Sequence, residues 1–162
     1  MRYLILTDIH ANLEALETCL ADAQSRGFDR TLVLGDLVGY GADPNAVIER
    51  VQQLEPWAIV RGNHDKVALG EEVLEWFNPV ARFAALWTLK VLTPENLEYV
   101  RLLPQGPLAV DSYQIAHGSP LDEDEYLISA AEVGQAFQYL ERDLTFFGHT
   151  HVQGGFVSTR RR

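Results

Sequence analysis

Tyr3-Leu4-Ile5-Leu6-Thr7-Asp8-Ile9-His10 begins with four apolar residues and closes on a carboxylate and an imidazole. Four apolar residues are too few for a buried helix, so the run reads as a strand and the polar residues mark its carboxyl end. The pattern recurs twice. Thr31 to Leu34 runs into Gly35-Asp36, and Trp57 to Val60 runs into Arg61-Gly62-Asn63-His64-Asp65. Between the first two strands, Leu13, Leu16, Leu20 and Ala23 recur at helical spacing, with Asn12 placed to cap the helix and Gly27 to stop it. A glycine-rich loop, Gly39-Tyr40-Gly41, then leads to Asp43-Pro44, which opens a helix through about Leu54. The order β-α-β-α-β implies parallel strands joined by right-handed crossovers. Ligands bind such sheets at the carboxyl ends of the strands, so Asp8, His10, Asp36, Asn63 and His64 are expected along one edge.

The middle of the chain is helical. A helix from about Pro79 to Leu92 carries Val80, Phe83, Ala84, Trp87 and Val91 at helical spacing, and Thr93-Pro94 opens another with Leu97, Val100 and Leu103 apolar. This segment is expected to cover the site or shape access to it, and it offers no chemistry of its own. Leu108 to Val110 and Tyr113 to Ala116, joined by Asp111-Ser112, read as a hairpin ending in His117-Gly118-Ser119. Ser129 and Glu132 form a capping box for a helix with Val133, Phe137 and Leu140 buried. Leu144 to Phe147 is a last strand, followed by Gly148-His149-Thr150-His151; if the strand continued, alternation would send both histidines to one side. No repeat or linker divides the chain, so residues 1–162 are expected to form one domain.

Composition narrows the function. With 47% hydrophobic and 22% charged residues the chain is globular rather than disordered. A net charge of -10 argues against nonspecific binding of nucleic acid or an anionic membrane, and no apolar run is long enough to span a bilayer. An acidic protein that handles phosphates needs metal ions to offset the repulsion. The terminal Arg160-Arg161-Arg162 reads as a solvated tail. The single cysteine, Cys19, excludes an internal disulfide, argues for a reducing, cytoplasmic location and falls in a helical pattern that suggests burial. The first residues lead straight into a strand and do not read as a signal peptide.

All five histidines, His10, His64, His117, His149 and His151, directly follow apolar strands. Any one alone is more often a capping or core residue, but scattered structural histidines would not segregate in this way. With Asp8, Asp36 and Asn63 they make a donor set of nitrogen and oxygen only, which suits Mn²⁺, Fe or Zn²⁺ rather than a thiolate-bound zinc. There are too many ligands for one ion. Two ions about 3.5–4 Å apart that share a carboxylate would use them, polarising a phosphoryl group and activating a bound water for in-line attack. Ser119 and Cys19 lack an evident base, which disfavours a covalent mechanism.

Asp8-Ile9-His10, Gly35-Asp36, Gly62-Asn63-His64-Asp65, His117 and Gly148-His149-Thr150-His151, in this order, resemble the calcineurin-like metallophosphoesterase superfamily. The opening Asp8 to Leu16 and the loop Val38-Gly39-Tyr40-Gly41 are similar to its small bacterial single-domain branch. The resemblance implies an α/β fold, a β-sandwich flanked by helices in α/β/β/α layers, with a dinuclear site at its edge. By matching position, Asp8, His10 and His151 would hold one metal, Asn63, His117 and His149 the other, and Asp36 would bridge them. His64 would be the catalytic residue, donating to the phosphate or protonating the leaving oxygen. Asn12 and Tyr40 are candidates for substrate contact, although capping is the alternative for Asn12. The implied cofactors are two divalent metal ions, with Mn²⁺ first and Fe, Zn, Ni or Co as alternatives. The implied activity is hydrolysis of a small phosphodiester, phosphomonoester or nucleotide by a metal-bridging water or hydroxide.

Two departures qualify that expectation. Protein phosphatases of the family follow the second block with an acid and an arginine, where this chain has Gly39 and Tyr40. The orienting partner of His64 is then open, with Asp65 as one candidate, and a phosphoprotein substrate is disfavoured. Family members also continue with further strands after the last motif, so the second sheet is expected to be incomplete at the C-terminus or completed by another copy in a homo-oligomer. The alternatives are a non-catalytic interaction module on the same fold and a shortened chain active only as an oligomer.

Overall fold

The structure is a computed structural model and describes residues 1–70, 75 and 77–158. Three parallel strands, β1 (Tyr3–Leu6), β2 (Arg30–Val33) and β3 (Ala58–Ile59), form the first sheet in the order β1-β2-β3. Two helices link them, α1 (Leu13–Arg26) and α2 (Pro44–Gln53). The β-α-β-α-β reading of the sequence therefore holds, with Tyr3 opposite Arg30, Leu6 opposite Val33 and Leu32 opposite Ala58. Strand alternation sorts the side chains into two cores. Leu4, Leu6, Val33 and Ile59 face the helices, while Tyr3, Ile5, Leu32, Leu34, Ala58 and Val60 face the other way.

That second face meets a second sheet. β4 (Leu108–Val110) pairs antiparallel with β5 (Tyr113–Ile115), and β5 pairs parallel with β6 (Leu144–Phe146). Leu108, Val110, Tyr113, Ile115 and Phe146 close on the first sheet to make the sandwich core. On the outer face of β5, Gln114 is buried and its Oε1 accepts from the backbone N–H groups of Glu141 and Arg142. Helix α5 (Ala130–Ala136) begins at the predicted capping box of Ser129 and Glu132 and packs Val133 and Ala136 with Leu127, Phe137 and Phe147. Layers of helix, sheet and sheet are thus in place, with α5 beside the second sheet. Among the described residues that sheet has three strands, and residues 147–158 add none.

Helices α3 (Pro79–Val91) and α4 (Pro94–Arg101) complete the helical layer, α4 opening at Thr93-Pro94 as expected. Asn78 caps α3 through the N–H groups of Val80 and Ala81, and Thr93 caps α4 through Asn96. The face that α3 buries differs from the expected one. Ala81, Ala85 and Thr88 turn inward, and Val80 and Phe83 stand 72% and 76% exposed, with Trp87 also outward. Both stripes have helical period, and the small residues win because they let the helix approach its neighbours closely. Cys19 is exposed, not buried, because it falls beside the Leu16–Leu20 stripe rather than on it. The Arg160–Arg162 tail lies outside the described residues. No helix among the described residues is long and apolar enough to cross a membrane.

Candidate metal centre

The first, second and last of the predicted blocks leave their strands in a backbone conformation that strands do not use. Asp8, His10, Asp36, His149 and His151 all have positive φ, between 51° and 67°. Such conformations are uncommon for residues with a Cβ and persist only where surrounding contacts fix them. Here the fixing is visible. The N–H of Asp8 bonds to Gly35 O and that of His10 to Asp36 O, which docks the first loop on the second. The N–H of His149 donates to both oxygens of Asp8 at 3.1 Å, which docks the last loop on the first. The expected alternation of His149 and His151 is replaced by this turn, since β6 ends at Phe146.

The donor atoms converge in two groups around Asp36. Asp8, His10 and His151 form one set that could hold an ion, and Asp36, His117 and His149 form another. Asp36 Oδ2 lies 3.6 Å from His10 Nε2 and 3.3 Å from His117 Nε2, so one oxygen stands between the groups. Asn63 Oδ1 joins the second set, 3.1 Å from His117 Nε2. A third cluster of His10, Asp36 and His64 brings His64 within reach of the same centre.

The hydrogen bonds on the far side of the rings test whether a cation fits. His10 Nδ1 is 3.0 Å from Val38 O, His117 Nδ1 2.7 Å from Leu34 O, and His149 Nε2 3.2 Å from Asp124 O. A carbonyl only accepts, so these nitrogens carry the proton, and in the neutral rings the opposite nitrogens are bare lone pairs. His10 Nε2 then points at His151 Nε2 across 3.0 Å, and His117 Nε2 points at two oxygens. Converging acceptors with backbone-oriented rings are what a cation requires, and the residues fit divalent ions.

Charge in the site centres on the Asp36 carboxylate. Burial pushes the Asp36 carboxyl up, but the His117 hydrogen bond and the imidazoles around it more than offset this and hold it below the usual carboxylate range. Burial pulls His117 down, and Asp36 raises it above the ordinary imidazole value. Burial lowers His64 to about 4, against the pull of Asp36, which leaves it neutral near pH 7. His149 is lowered mainly by burial.

His64 lies in an aromatic nest, with ring centroids at 4.6 Å from Tyr40, 5.0 Å from Phe77 and 5.0 Å from His10. Among the described residues its Nδ1 has no hydrogen-bond partner. Gly39 lies against that nitrogen, and a Cβ there would come within 2.6 Å of it. Asp65 does not reach His64 either. Its buried carboxylate accepts from the N–H groups of Asp36, Leu37, Val38 and Gly62, so it ties the second block to the third. Burial and the neighbouring Asp36 charge push Asp65 up, against the pull of those donors.

A cavity of about 210 Å³ opens over the centre, lined by Asp36, Tyr40, Asn63, His64, Tyr126, His149, Thr150 and His151. Tyr40 is therefore at the site as expected. Asn12 is not among the lining residues, and its Oδ1 accepts from Ala15 N as the cap of α1. Sequence reasoning missed the loop after His117. There Tyr126 stacks on His149 with centroids 3.9 Å apart, and Asp124 O holds the same ring. The loop is clamped by Arg61, whose Nε and Nη2 each donate to Glu123 at 3.0 Å, and by Lys66, which pairs with Glu123 at 3.1 Å and with Asp124. The acidic run from Asp122 to Glu125 opposite Arg61 and Lys66 was the available signal.

Over residues 1–153 the sequence matches the calcineurin-like phosphoesterase family. It is 39% identical over 153 residues to the uncharacterised protein MJ0912 of Methanocaldococcus jannaschii, covering 91% of this chain and 61% of that protein. The fold is similar to that of a crystallised metallophosphoesterase from Sphaerobacter thermophilus, with a TM-score of 0.81 and 42% identity over 94% of this chain and 61% of that one. It is also similar to a protein proposed to be a diadenosine tetraphosphatase, with a TM-score of 0.50 and 25% identity over 72% of this chain and 49% of that one. The chain thus spans about three fifths of the length of the first relatives it matches.

Proposed function

Because the chain belongs to the calcineurin-like phosphoesterase family, we propose that it hydrolyses a small phosphodiester, phosphomonoester or nucleotide at a dinuclear metal centre. In this reading Asp8, His10 and His151 hold one ion and Asn63, His117 and His149 the other, with Asp36 shared. The observation that carries it is the convergence of two donor groups on a single Asp36 oxygen. A mixed nitrogen and oxygen set without sulfur favours Mn²⁺ or Fe over a structural zinc. Divalent ions held there supply the Lewis acidity that polarises a phosphoryl group and activates water.

The chain's own side chains do the remainder. Asp36, kept ionised, offsets the charge of the ions, and His117 Nδ1 and His10 Nδ1, fixed on Leu34 O and Val38 O, hold the rings in one tautomer. His64 is the catalytic residue, a neutral imidazole that donates to a phosphoryl or leaving oxygen, oriented by ring packing against Tyr40, Phe77 and His10 instead of by a carboxylate. The lone, exposed Cys19 supports a reducing, cytoplasmic setting. Among the described residues the outer edges of β4 and β6 pair with no further strand, which supports association of two copies, and light scattering with and without Mn²⁺ would reveal it. The reaction is tested with Mn²⁺-loaded protein on bis-p-nitrophenyl phosphate and p-nitrophenyl phosphate. Turnover that a chelator abolishes and Mn²⁺ restores is the expected result; folded, metal-loaded protein inert on both would overturn it.

A further inference from the structure

The two tyrosines at the mouth of the cavity are built differently from other exposed aromatic residues of the chain. Tyr40 is 51% and Tyr126 54% exposed, yet each has its ring seated on imidazoles of the centre. Tyr40 packs on His64 and His10, and Tyr126 on His149. Trp57 is equally exposed, but the Arg30 guanidinium covers it at 3.4 Å from the ring centre, far from the cavity. A ring fixed on one side and open on the other is a platform, since its lost rotamer freedom is already accounted for by the packing beneath it.

The volume decides what the platforms receive. A cavity of about 210 Å³ is smaller than the ~300–1,000 Å³ of sites that enclose a drug-sized ligand. A phosphoryl group fits inside against Asn63, His64 and His149, and the organic part of the ester must lie across the rim. The rim carries Tyr40 on one motif loop and Tyr126 on the loop after His117.

We propose that Tyr40 and Tyr126 bind a flat aromatic ring, such as a nucleobase, on the organic group of the substrate and so determine specificity. This rests on the phosphoesterase reading above. Stacking on an aromatic side chain is strong enough to matter at an exposed site and indifferent to which base is offered. The pair therefore selects for the presence of a ring, not for its identity.

The test compares three competitive inhibitors of bis-p-nitrophenyl phosphate turnover by the Mn²⁺-loaded protein: adenosine 5′-monophosphate, ribose 5-phosphate and inorganic phosphate. Adenosine monophosphate is expected to bind at least about fivefold more tightly than ribose 5-phosphate, the lower end of what stacking provides. Ribose 5-phosphate should differ little from phosphate. The preference should survive in Tyr126→Phe and in Tyr40→Phe, and fall towards unity in Tyr126→Leu at metal content equal to native, measured because Tyr126 also packs on His149. A ratio near one in the native protein overturns the proposal. So does an equal loss in the Phe and Leu variants, which would assign the effect to the hydroxyl. If the native protein turns over no p-nitrophenyl ester, the phosphoesterase reading fails. The same three ligands are then compared by calorimetry on the Mn²⁺-loaded protein, where the ratio still decides the role of the rim.

Discussion

Asp65 shows how a single buried carboxylate can hold candidate metal ligands in place through their backbone. It gathers four backbone N–H groups from two motif loops, among them that of Asp36 itself. Asp65→Asn would turn one acceptor into a donor facing donors, an error worth roughly 1–3 kcal/mol for each buried group left unmatched. We expect a lower unfolding midpoint in urea and a loss of bound metal, even though no ligand is removed. His64→Ala should behave in the opposite way: metal content close to native, and turnover down by about 10²–10⁴ if the residue serves as donor or general acid. Metal analysis alongside initial rates separates the two, and loss of metal in His64→Ala would reassign that residue. A third substitution concerns spacing. A Cβ at Gly148 would collide with Thr7 Oγ1 and crowd Asp8 Oδ2, so Gly148→Ala should displace His149 and lose metal as Asp65→Asn does.

At the scale of elements, the strands and their polar ends were legible because period and burial agree there. Tyr3, Leu4, Ile5 and Leu6 alternate between two cores, and Thr7, Asp8 and His10 beyond them belong to neither. The candidate ligands were legible for the same reason, as polar residues at the mouths of apolar runs. Helix α3 was not, because two stripes share one period and only the neighbouring elements choose between them. Tyr126 was not legible either. Its position depends on the ion pairs from Arg61 and Lys66 to Glu123, contacts made about sixty residues apart that no local pattern encodes. Those pairs predict their own consequence. Glu123 is buried, and its removal leaves Arg61 without a carboxylate and Lys66 with Asp124 alone; breaking a buried pair costs on the order of 3–5 kcal/mol, and the partner that Lys66 keeps lowers that cost here. Glu123→Ala should free the loop, release His149 from Asp124 O and lower the metal content per chain, measured by elemental analysis of folded protein. Unchanged content would mean that the loop is held by other contacts.

For the whole molecule, the centre stands where the two sheets and the helical layer meet, and its donors come from five separate segments. Any ion bound to all of them binds the folded chain only, so metal and stability are linked. At a free ion concentration about 100 times the dissociation constant, linkage adds ~2.7 kcal/mol. In a domain of this size that corresponds to a rise in the thermal midpoint of about 5–10 °C. Scanning calorimetry with Mn²⁺ and with chelator should show the difference, and a midpoint indifferent to both would argue that no ion is held.

The contact between His10 and His151 spans 141 residues of chain. During synthesis at roughly 5–20 residues per second, His10 precedes His151 by on the order of ten seconds. Until His149 and His151 arrive, the emerging polypeptide offers Asp8 and His10, and later Asp36, without the donors that would complete either half of the proposed centre. An ion that needs the whole set can settle only at the end of synthesis, when the last loop docks on the first.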